Sequence, residues 1–192
     1  MPLSPPDTPR KLLHTRSVRV DAYERDDGLW DLDAEITDIK GYDFVREDGA
    51  EHKQGDPVHH MYLRVTIDQE FTITAAQAAY GAAPFDENCF SIAPAYQNLV
   101  GLNLLRRFRN EVKDRFGRVG GCTHITELSY LLPTVAVQCM AGRMREERAR
   151  SGDQSDKKPF ELDGCHALRS DGPIAAKYYP RWYVSPDKTR HE

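Results

Sequence analysis

A short glycine-rich segment holds the residues whose types and spacing are best suited to chemistry. Gly120-Gly121-Cys122-Thr123-His124 is followed three residues later by Glu127, and its two glycines permit a tight turn before a helix. A cysteine at the N-terminus of a helix has a lowered thiol pKa, which favours nucleophilic or metal-binding chemistry. His124 and Glu127 share a helix face, a spacing that suits metal ligation or a histidine oriented by a carboxylate. The segment is therefore a candidate site, although H-x-x-E alone also occurs in many ordinary helices.

A second group of polar residues is expected where predicted strands meet. The Asp26-Asp27-Gly28 turn separates two alternating segments, and pairing about this turn places Arg16 opposite Asp38. His14 shares their phase, and His59 is in phase with the apolar residues of a third strand that starts at the same end. We therefore expect these four side chains to gather at one edge of the inner face of the sheet.

Cys89 should lie near this group, because a short connection follows the fourth strand, and we expect Cys122 and His124 to meet the group at the same end of the sheet. A polar cluster at the margin of an apolar face is the usual anatomy of a small-molecule site. Structural explanations remain open for each member. Arg16 and Asp38 could form only a cross-strand ion pair, and His59 could be an ordinary hydrogen-bonded histidine. Cys89 could be a small core hydrophobe, as we expect Cys139 to be.

The elements that must position these residues change in type along the chain. Between residues 14 and 78 the alternation of apolar and polar residues predicts about four antiparallel strands. The second half carries helical stripes from Pro94 to Phe116, interrupted at Gly101, and from Thr123 to Met140. Pro133 should kink or split the second stripe, which Thr123 can cap. Strands followed by helices on one face indicate an α+β fold.

The length of 192 residues suits a single domain. Four prolines near the start predict a disordered lead-in over residues 1–12. We expect one α+β domain over 13–185, with a polar linker at 143–158, and a tail at 186–192. The aromatic segment before this tail should cover the core, and Tyr178 and Trp182 are candidates for lining a ligand pocket.

Composition narrows the function classes. The chain has 26 Lys and Arg against 30 Asp and Glu, so its formal charge of -4 argues against nucleic-acid binding. The basic stretch from Arg106 to Arg118 is then a solvated helix face. No apolar segment approaches a membrane span, and no signal peptide is visible. Four cysteines without a C-x-x-C pair favour a reducing setting, so we expect a cytoplasmic protein.

Several short motifs follow one another in a recognisable order between His14 and Tyr183. They are His14-Thr15-Arg16, Gly28-Leu29-Trp30-Asp31, Thr37-Asp38 with Lys40, Pro57 with His59 and Met61, Leu63-Arg64, Tyr96 with Gly101-Leu102, and Gly121-Cys122-Thr123-His124 with Glu127-Leu128. In these motifs the chain resembles a bacterial family of uncharacterised proteins, domain of unknown function 2889. Members of that family often sit among genes for breaking down lignin-derived phenylpropanoid aromatics, so the resemblance implies an aromatic substrate.

The order of elements is also similar to that of U-type iron–sulfur scaffold proteins. Their ligands sit before an inner strand, after the sheet and at a late helix start. His59, Cys89, and Cys122 with His124 occupy comparable places here. A histidine stands where the scaffold has its first cysteine, which argues against cluster assembly.

These observations favour a small enzyme without an organic cofactor. No nucleotide-binding glycine motif or P-loop occurs, so hydride and phosphoryl transfer are not expected. We expect a lyase that acts on a lignin-derived aromatic compound, with His59 or His124 as general base. Arg16 would hold an anionic oxygen, and Asp38 would fix Arg16 or a histidine. The residues expected to contact substrate are His14, Cys89, Cys122, Glu127, Tyr178 and Trp182.

The alternative is a metal-binding accessory or scaffold protein. Zinc or iron would be held by Cys89, Cys122, His124 and His59, with Asp38 as a further candidate ligand. A third reading is a binding module without turnover. The expected partner is a small aromatic molecule and neither nucleic acid nor membrane, and assembly into a homo-oligomer is left open.

Overall fold

The computed structural model describes residues 3–151, 158–159 and 161–185. The chain divides into two compact units, Met1–Met144 and Arg145–Glu192. Residues 3–12 of the predicted lead-in form neither helix nor strand. The predicted tail at 186–192 and residues 152–157 of the predicted linker lie outside the described residues, and the single domain over 13–185 stays a prediction. No helix in the described ranges is both long and apolar enough to span a membrane.

The first unit contains most of the regular structure, and its fold is α+β as predicted. Short 3₁₀ turns, the longest at Ala93–Leu99, connect the helices. The second unit contains the end of the longest helix and a short helix of its own. The strands are β1 (His14–Glu24), β2 (Trp30–Lys40), β3 (Phe44–Val45), β4 (Glu51–His52), β5 (Pro57–Ile67) and β6 (Ile73–Ala82), and the helices are α1 (Asp86–Phe90), α2 (Phe108–Phe116), α3 (Thr123–Ser129), α4 (Leu132–Ser151) and α5 (Pro173–Tyr178).

The main sheet is an antiparallel meander with the strand order β1-β2-β5-β6. The turn after β1 uses Gly28, whose φ of 81° is a conformation that other residues adopt at a cost. The predicted register is confirmed, because Val18 pairs with Ile36 and Arg16 pairs with Asp38. The predicted strand order therefore places the polar ends of β1, β2 and β5 side by side.

One face of this sheet is buried under the helices and the other is open. Alternate residues of β2 are buried from Trp30 to Asp38, and those between them are only partly covered. Helix α3 packs on β2 and β5, and the 3₁₀ helix Ala93–Leu99 packs on β6. Burial of these apolar side chains is the main stabilising term of the unit. Its largest fully buried side chains are Tyr96, Leu32, Ile36, Met61, Leu63 and Ile67.

The helical half follows the predicted interruptions with one correction. Gly101 has a φ of 86° and separates the 3₁₀ helix from the segment that leads to α2. The predicted split at Pro133 is confirmed, because α3 ends at Ser129 and α4 begins at Leu132. Thr123 is the first residue of α3 and not its cap. Cys122 occupies the cap position and provides no side-chain cap hydrogen bond.

Several irregularities depart from simple alternation. The segment between β2 and β5, expected as a loop, contains the small hairpin β3–β4. In β6 the register shifts after Ile73, so Ala75 is exposed and Ala76 faces the core, contrary to the predicted phase. A second shift lies at Asp38, where Val58 of β5 is the additional residue of a bulge.

Candidate functional site

A buried aspartate lies at the centre of the polar cluster. Asp38 is the last inward-facing residue of β2, and it is only 1% exposed. The sheet register sets it between Arg16 on β1 and His59 on β5. A buried carboxylate is costly unless charged partners and hydrogen bonds compensate for its lost hydration. We call Asp38 and the side chains that surround it the Asp38 cluster; these are His14, Arg16, His59, His124 and Glu127.

Arg16 holds this carboxylate with two parallel hydrogen bonds. Its Nε donates to Oδ1 at 2.7 Å and its Nη2 donates to Oδ2 at 2.8 Å, the bidentate geometry of a strong ion pair. Its third nitrogen, Nη1, donates to Glu127 of α3 at 2.6 Å. Arg16 therefore ties the edge strand to the helix, and the predicted pairing of Arg16 with Asp38 is confirmed.

Three histidines approach the same carboxylate. The Nε2 of His14 lies 3.1 Å from Oδ1. The Nδ1 of His59 and the Nε2 of His124 lie 3.1 and 3.3 Å from Oδ2. The rings of His59 and His124 are in contact, with their centroids 3.9 Å apart and their planes tilted by 32°. Two of these histidines come from neighbouring strands, and the third is brought by α3.

The carboxylate determines which ring nitrogens remain free. An ionised carboxylate can only accept, so a neutral imidazole must turn an N–H toward it. His59 then donates through Nδ1, which leaves Nε2 with its lone pair. The Nε2 of His124 lies at ion-pair distance from Oδ2 without hydrogen-bond geometry, and its Nδ1 faces away from the carboxylate. Each of these histidines thus has one nitrogen available for a proton, a substrate or another ligand.

The charges of the cluster depend on each other. Burial raises the pKa of Asp38, but the hydrogen bonds and charge of Arg16, with smaller contributions from His124 and His59, lower it to about 2. Burial and the neighbouring His124 lower the pKa of His59 despite the attraction of Asp38. At neutral pH the aspartate is therefore ionised and His59 is a neutral base.

A close packing contact holds the start of α3, and with it His124, against the core. The Tyr96 hydroxyl donates to the carbonyl of Cys122 at 2.8 Å and contacts the Thr126 hydroxyl at 2.9 Å. A Cβ on Gly121 would lie 2.8 Å from Phe116 Cβ and 2.9 Å from the Tyr96 hydroxyl. Only glycine fits there without displacing these neighbours, which explains one of the two glycines in the motif.

Cys122 adjoins the cluster through His124. Its sulfur lies 3.9 Å from His124 Nδ1, the nitrogen that faces away from Asp38. Burial raises the pKa of the thiol, but His124, the backbone amides of Ile125 and His124, and Tyr80 lower it to about 7. The buried Tyr80 hydroxyl has no partner of normal hydrogen-bond geometry among the described residues. The lowered thiol pKa predicted for this helix start is therefore present.

The cluster also contains a group of ligand atoms that could hold a metal ion. One atom each from Asp38, His59 and His124 lies within 4.8 Å of the others. From the sequence we expected Cys89 and Cys122 among the ligands. In the described part of the chain this group instead contains the carboxylate of Asp38 with the two histidines. Cys89 lies on α1, partly buried against the core. The predicted residues that converge are therefore the charged and imidazole side chains.

The remaining predicted residues lie in the second unit. Tyr178 ends α5 and is 62% exposed, with the Lys177 ammonium over its ring. Trp182 is partly buried, and the Arg181 guanidinium lies 5.1 Å from the centre of its ring. Their contact with substrate stays a prediction.

Two sizeable cavities lie away from the Asp38 cluster. One of about 370 Å³ is a groove on the open face of the sheet, lined by residues such as Tyr23 and Tyr62. The other, about 350 Å³, lies beside the β3–β4 hairpin and is lined by residues such as Phe44 and Phe90.

Sequence reasoning also missed Tyr80 and the packing of Tyr96 against Gly121. The alternation along β6 could have shown that Tyr80 faces the core, but the register shift after Ile73 reverses the phase on which that inference depends.

Comparison with known proteins gives one match. The model of a family described as "Protein of unknown function (DUF2889)" matches residues 14–138, which include every member of the Asp38 cluster. No curated protein and no solved structure matches the chain. The resemblance to this family is thereby confirmed, whereas the similarity to U-type iron–sulfur scaffolds finds no support.

Proposed function

Since the chain belongs to the DUF2889 family, a family of unknown function, we propose from its own geometry that it is a cofactor-independent lyase acting by acid–base chemistry. The observation that carries this proposal is the close pair of His59 and His124 at one buried carboxylate. Asp38 orients His59 through a hydrogen bond and lies within ion-pair distance of His124, and each ring keeps one nitrogen outside the carboxylate contacts. This arrangement resembles the orientation of a catalytic histidine by a buried aspartate in other enzymes.

We assign the role of general base to His59. Its pKa is lowered, so it is deprotonated at neutral pH, and 20% of its side chain is exposed. A base must be neutral and must reach the proton that it removes. The free nitrogen Nε2 meets both conditions. The other nitrogen of His124, which faces the Cys122 thiol, is the alternative acceptor for that proton.

Arg16 has a different role from the one expected. Each of its three nitrogens donates to a carboxylate, Asp38 or Glu127. Its charge is thus used within the protein, and we assign it a positioning role instead of the binding of an anionic oxygen. His14, with 39% of its side chain exposed, is the group best placed to contact substrate at this edge.

The aromatic substrate class rests on the gene neighbourhood that the family resemblance implies. In the quinone methide formed when a phenolic phenylpropanoid loses its benzylic hydroxyl as water, His59 would take the proton of a remaining side-chain hydroxyl. The oxygen of that hydroxyl would form a carbonyl as the adjacent carbon–carbon bond breaks, and the electron pair of that bond would form a carbon–carbon double bond and convert the quinone methide to a phenolate. The proton stays on His59 until it is returned, so the step needs no oxidant or reductant.

Turnover of phenolic phenylpropanoid dimers, followed by chromatography of the products, tests this function. Wild-type protein is expected to cleave at least one of them after treatment with a chelator. The double variant His59→Ala/His124→Ala should lose that activity. Full activity in the double variant would contradict the proposal, and activity that disappears with the chelator would favour the second candidate.

The second candidate is a divalent-metal site on Asp38, His59 and His124. Ligands that bind zinc at about 2.0–2.1 Å in a tetrahedron are separated by about 3.3 Å. The oxygen–nitrogen distances of 3.1 and 3.3 Å match this spacing. Arg16 argues against a metal ion at this place, because it is positively charged and already donates hydrogen bonds to both oxygens of the Asp38 carboxylate.

Elemental analysis and zinc titration of protein purified without a histidine tag measure this directly. Stoichiometric metal that is lost in Asp38→Asn and retained in Cys122→Ser would establish the site. Loss in Cys122→Ser and retention in Asp38→Asn would instead support the cysteine ligands predicted from the sequence. Folded protein that binds neither zinc nor iron removes this candidate.

A further inference from the structure

Strand β1 presents a long free edge. It has 11 residues, and the first six, together with the last two, are exposed. Within the described residues no strand pairs with its outer side, since the sheet ends there. Val18 on this strand is 44% exposed. An exposed edge of this length is a template for pairing with another chain unless its charges prevent it.

The charges of β1 are complementary to those of a second β1 in one particular register. Two-fold symmetric antiparallel pairing places a single residue opposite its own copy. When that residue is Val20, Arg19 faces Asp21 of the second copy, and Arg16 faces its Glu24. Val18 faces Ala22 on the apolar side. Every charged residue from Arg16 to Glu24 then meets the opposite charge.

The two adjacent symmetric registers lack this property. Centring on Arg19 places two arginines directly opposite each other, and centring on Asp21 does the same with two aspartates. Like charges directly opposite in a sheet are destabilising. The charge pattern thus favours pairing at Val20 over the registers that differ by one step.

Contacts already present in the chain support the same register. Arg19 Nε lies 2.8 Å from Asp21 Oδ2 on the open face of the sheet. A two-fold axis at Val20 would join this pair to its copy, so that four charges of alternating sign surround the axis. Glu24 has a side chain that is 70% exposed, with Arg143 of its own chain 3.8 Å away. The Glu24 side chain is therefore accessible to a second chain that pairs with this edge.

From this pattern we propose that β1 pairs with β1 of a second copy of the chain, antiparallel and centred on Val20. The two sheets then form one continuous sheet of eight strands. Because β1 also carries His14 and Arg16, the second copy would border the exposed side of both Asp38 clusters with its Glu24. The pairing stands independently of the proposed chemistry, since it follows from the edge strand alone.

Sedimentation equilibrium with complementary charge variants tests the pairing. Wild-type chain should sediment at twice its mass of 21.9 kDa. Arg19→Asp and Asp21→Arg should each place like charges across the axis twice and weaken the dimer at least about tenfold. An equal mixture of the two variants should recover a heterodimer, because aspartate at 19 then faces arginine at 21.

The mixture separates pairing between chains from the ion pair within one chain, because neither variant retains its own Arg19–Asp21 bridge. Arg106→Asp, an exposed arginine outside the sheet, is the control with the same change of charge. Circular dichroism verifies that all variants are folded. A monomeric wild type, single variants that dimerise as wild type does, or a mixture that stays monomeric would each overturn the proposal.

Discussion

The two faces of the main sheet use the same residue types with different results. On the open face Asp33 of β2 pairs with Arg64 of β5, and Glu35 pairs with His60 at 2.6 Å. On the buried face Asp38 pairs with Arg16 and several histidines. The side chain of Asp33 is 30% exposed and that of Asp38 is 2% exposed. Exposure and the number of donors, and not residue type, distinguish a surface ion pair from a candidate site.

This difference has an energetic basis. Exposed ion pairs contribute little, because water already solvates both charges and the side chains lose freedom when they pair. A buried carboxylate must keep several donors at once, and each donor is fixed in orientation by that requirement. The Asp38 cluster is thereby preorganised, whereas the pairs on the open face can rearrange freely.

The largest effect is expected on turnover, when the adjacent histidines His59 and His60, which lie on opposite faces of the sheet, are replaced one at a time. His59→Ala removes the proposed base, so turnover of a phenylpropanoid substrate should fall by about 10²–10⁴-fold. His60→Ala removes only the partner of Glu35 and should stay near wild-type activity. Initial rates of both variants provide the measurement. Equal losses in the two variants would show that the buried face has no special role.

The next effect concerns stability. Asp38→Asn removes the charge that compensates Arg16 and the histidines, and should lower the free energy of unfolding by about 3 kcal/mol. Asp33→Asn is the matched change on the open face and should cost less than about 1 kcal/mol. Urea unfolding followed by circular dichroism compares them. A smaller loss for Asp38→Asn than for Asp33→Asn would refute the contrast.

Lowering the pH should reduce the free energy of unfolding through the groups on the buried face, Asp38 and His59. The pKa of Asp38 is lowered to about 2 from 3.8, so the folded state favours the ionised form. The resulting stabilisation, about 2 kcal/mol, is complete above pH 3.8 and is lost as the pH falls toward 2. The lowered pKa of His59 acts in the same direction as the pH falls below 6.5.

Urea unfolding at a series of pH values measures these contributions. Asp38→Asn should flatten the decrease in stability between pH 4 and 2, and His59→Asn should flatten the part below pH 6.5. An acid response that is identical in wild type and Asp38→Asn would assign it to other carboxylates.

The smallest effect is expected at the exposed margin of the cluster. Glu127 pairs with Arg16, but 49% of its side chain is exposed. Glu127→Gln should therefore behave like a change on the open face and cost less than about 1 kcal/mol in thermal or urea unfolding. A cost near that of Asp38→Asn would mean that the helix depends on this contact.

The sequence predicted the part of the site that depends on strand register. The turn at Gly28 and the alternation on both sides of it determine the pairing of β1 with β2, so Arg16 and Asp38 had to meet. The position of His59 follows from the same argument on β5. These residues are brought together by backbone hydrogen bonding, which a period of two reveals.

The parts that could not be predicted depend on packing and on irregular backbone. The meeting of His124 with Asp38 was predicted, but the packing of α3 across β2 and β5 that produces it is specified by no local pattern. The altered phase of Ala75 arises from a shift within β6 that carries no turn residue. Such features result from many side-chain contacts acting together.

The bulge at Val58 affects how this protein can diversify. It lies between the connecting segment of residues 41–56 and His59, so the extra residue is accommodated before the pairing of His59 with Asp38 begins. Insertions or deletions in that segment can then be absorbed without a change in the position of the histidine. A variant of this chain with a longer or shorter loop should therefore keep the same Asp38 cluster.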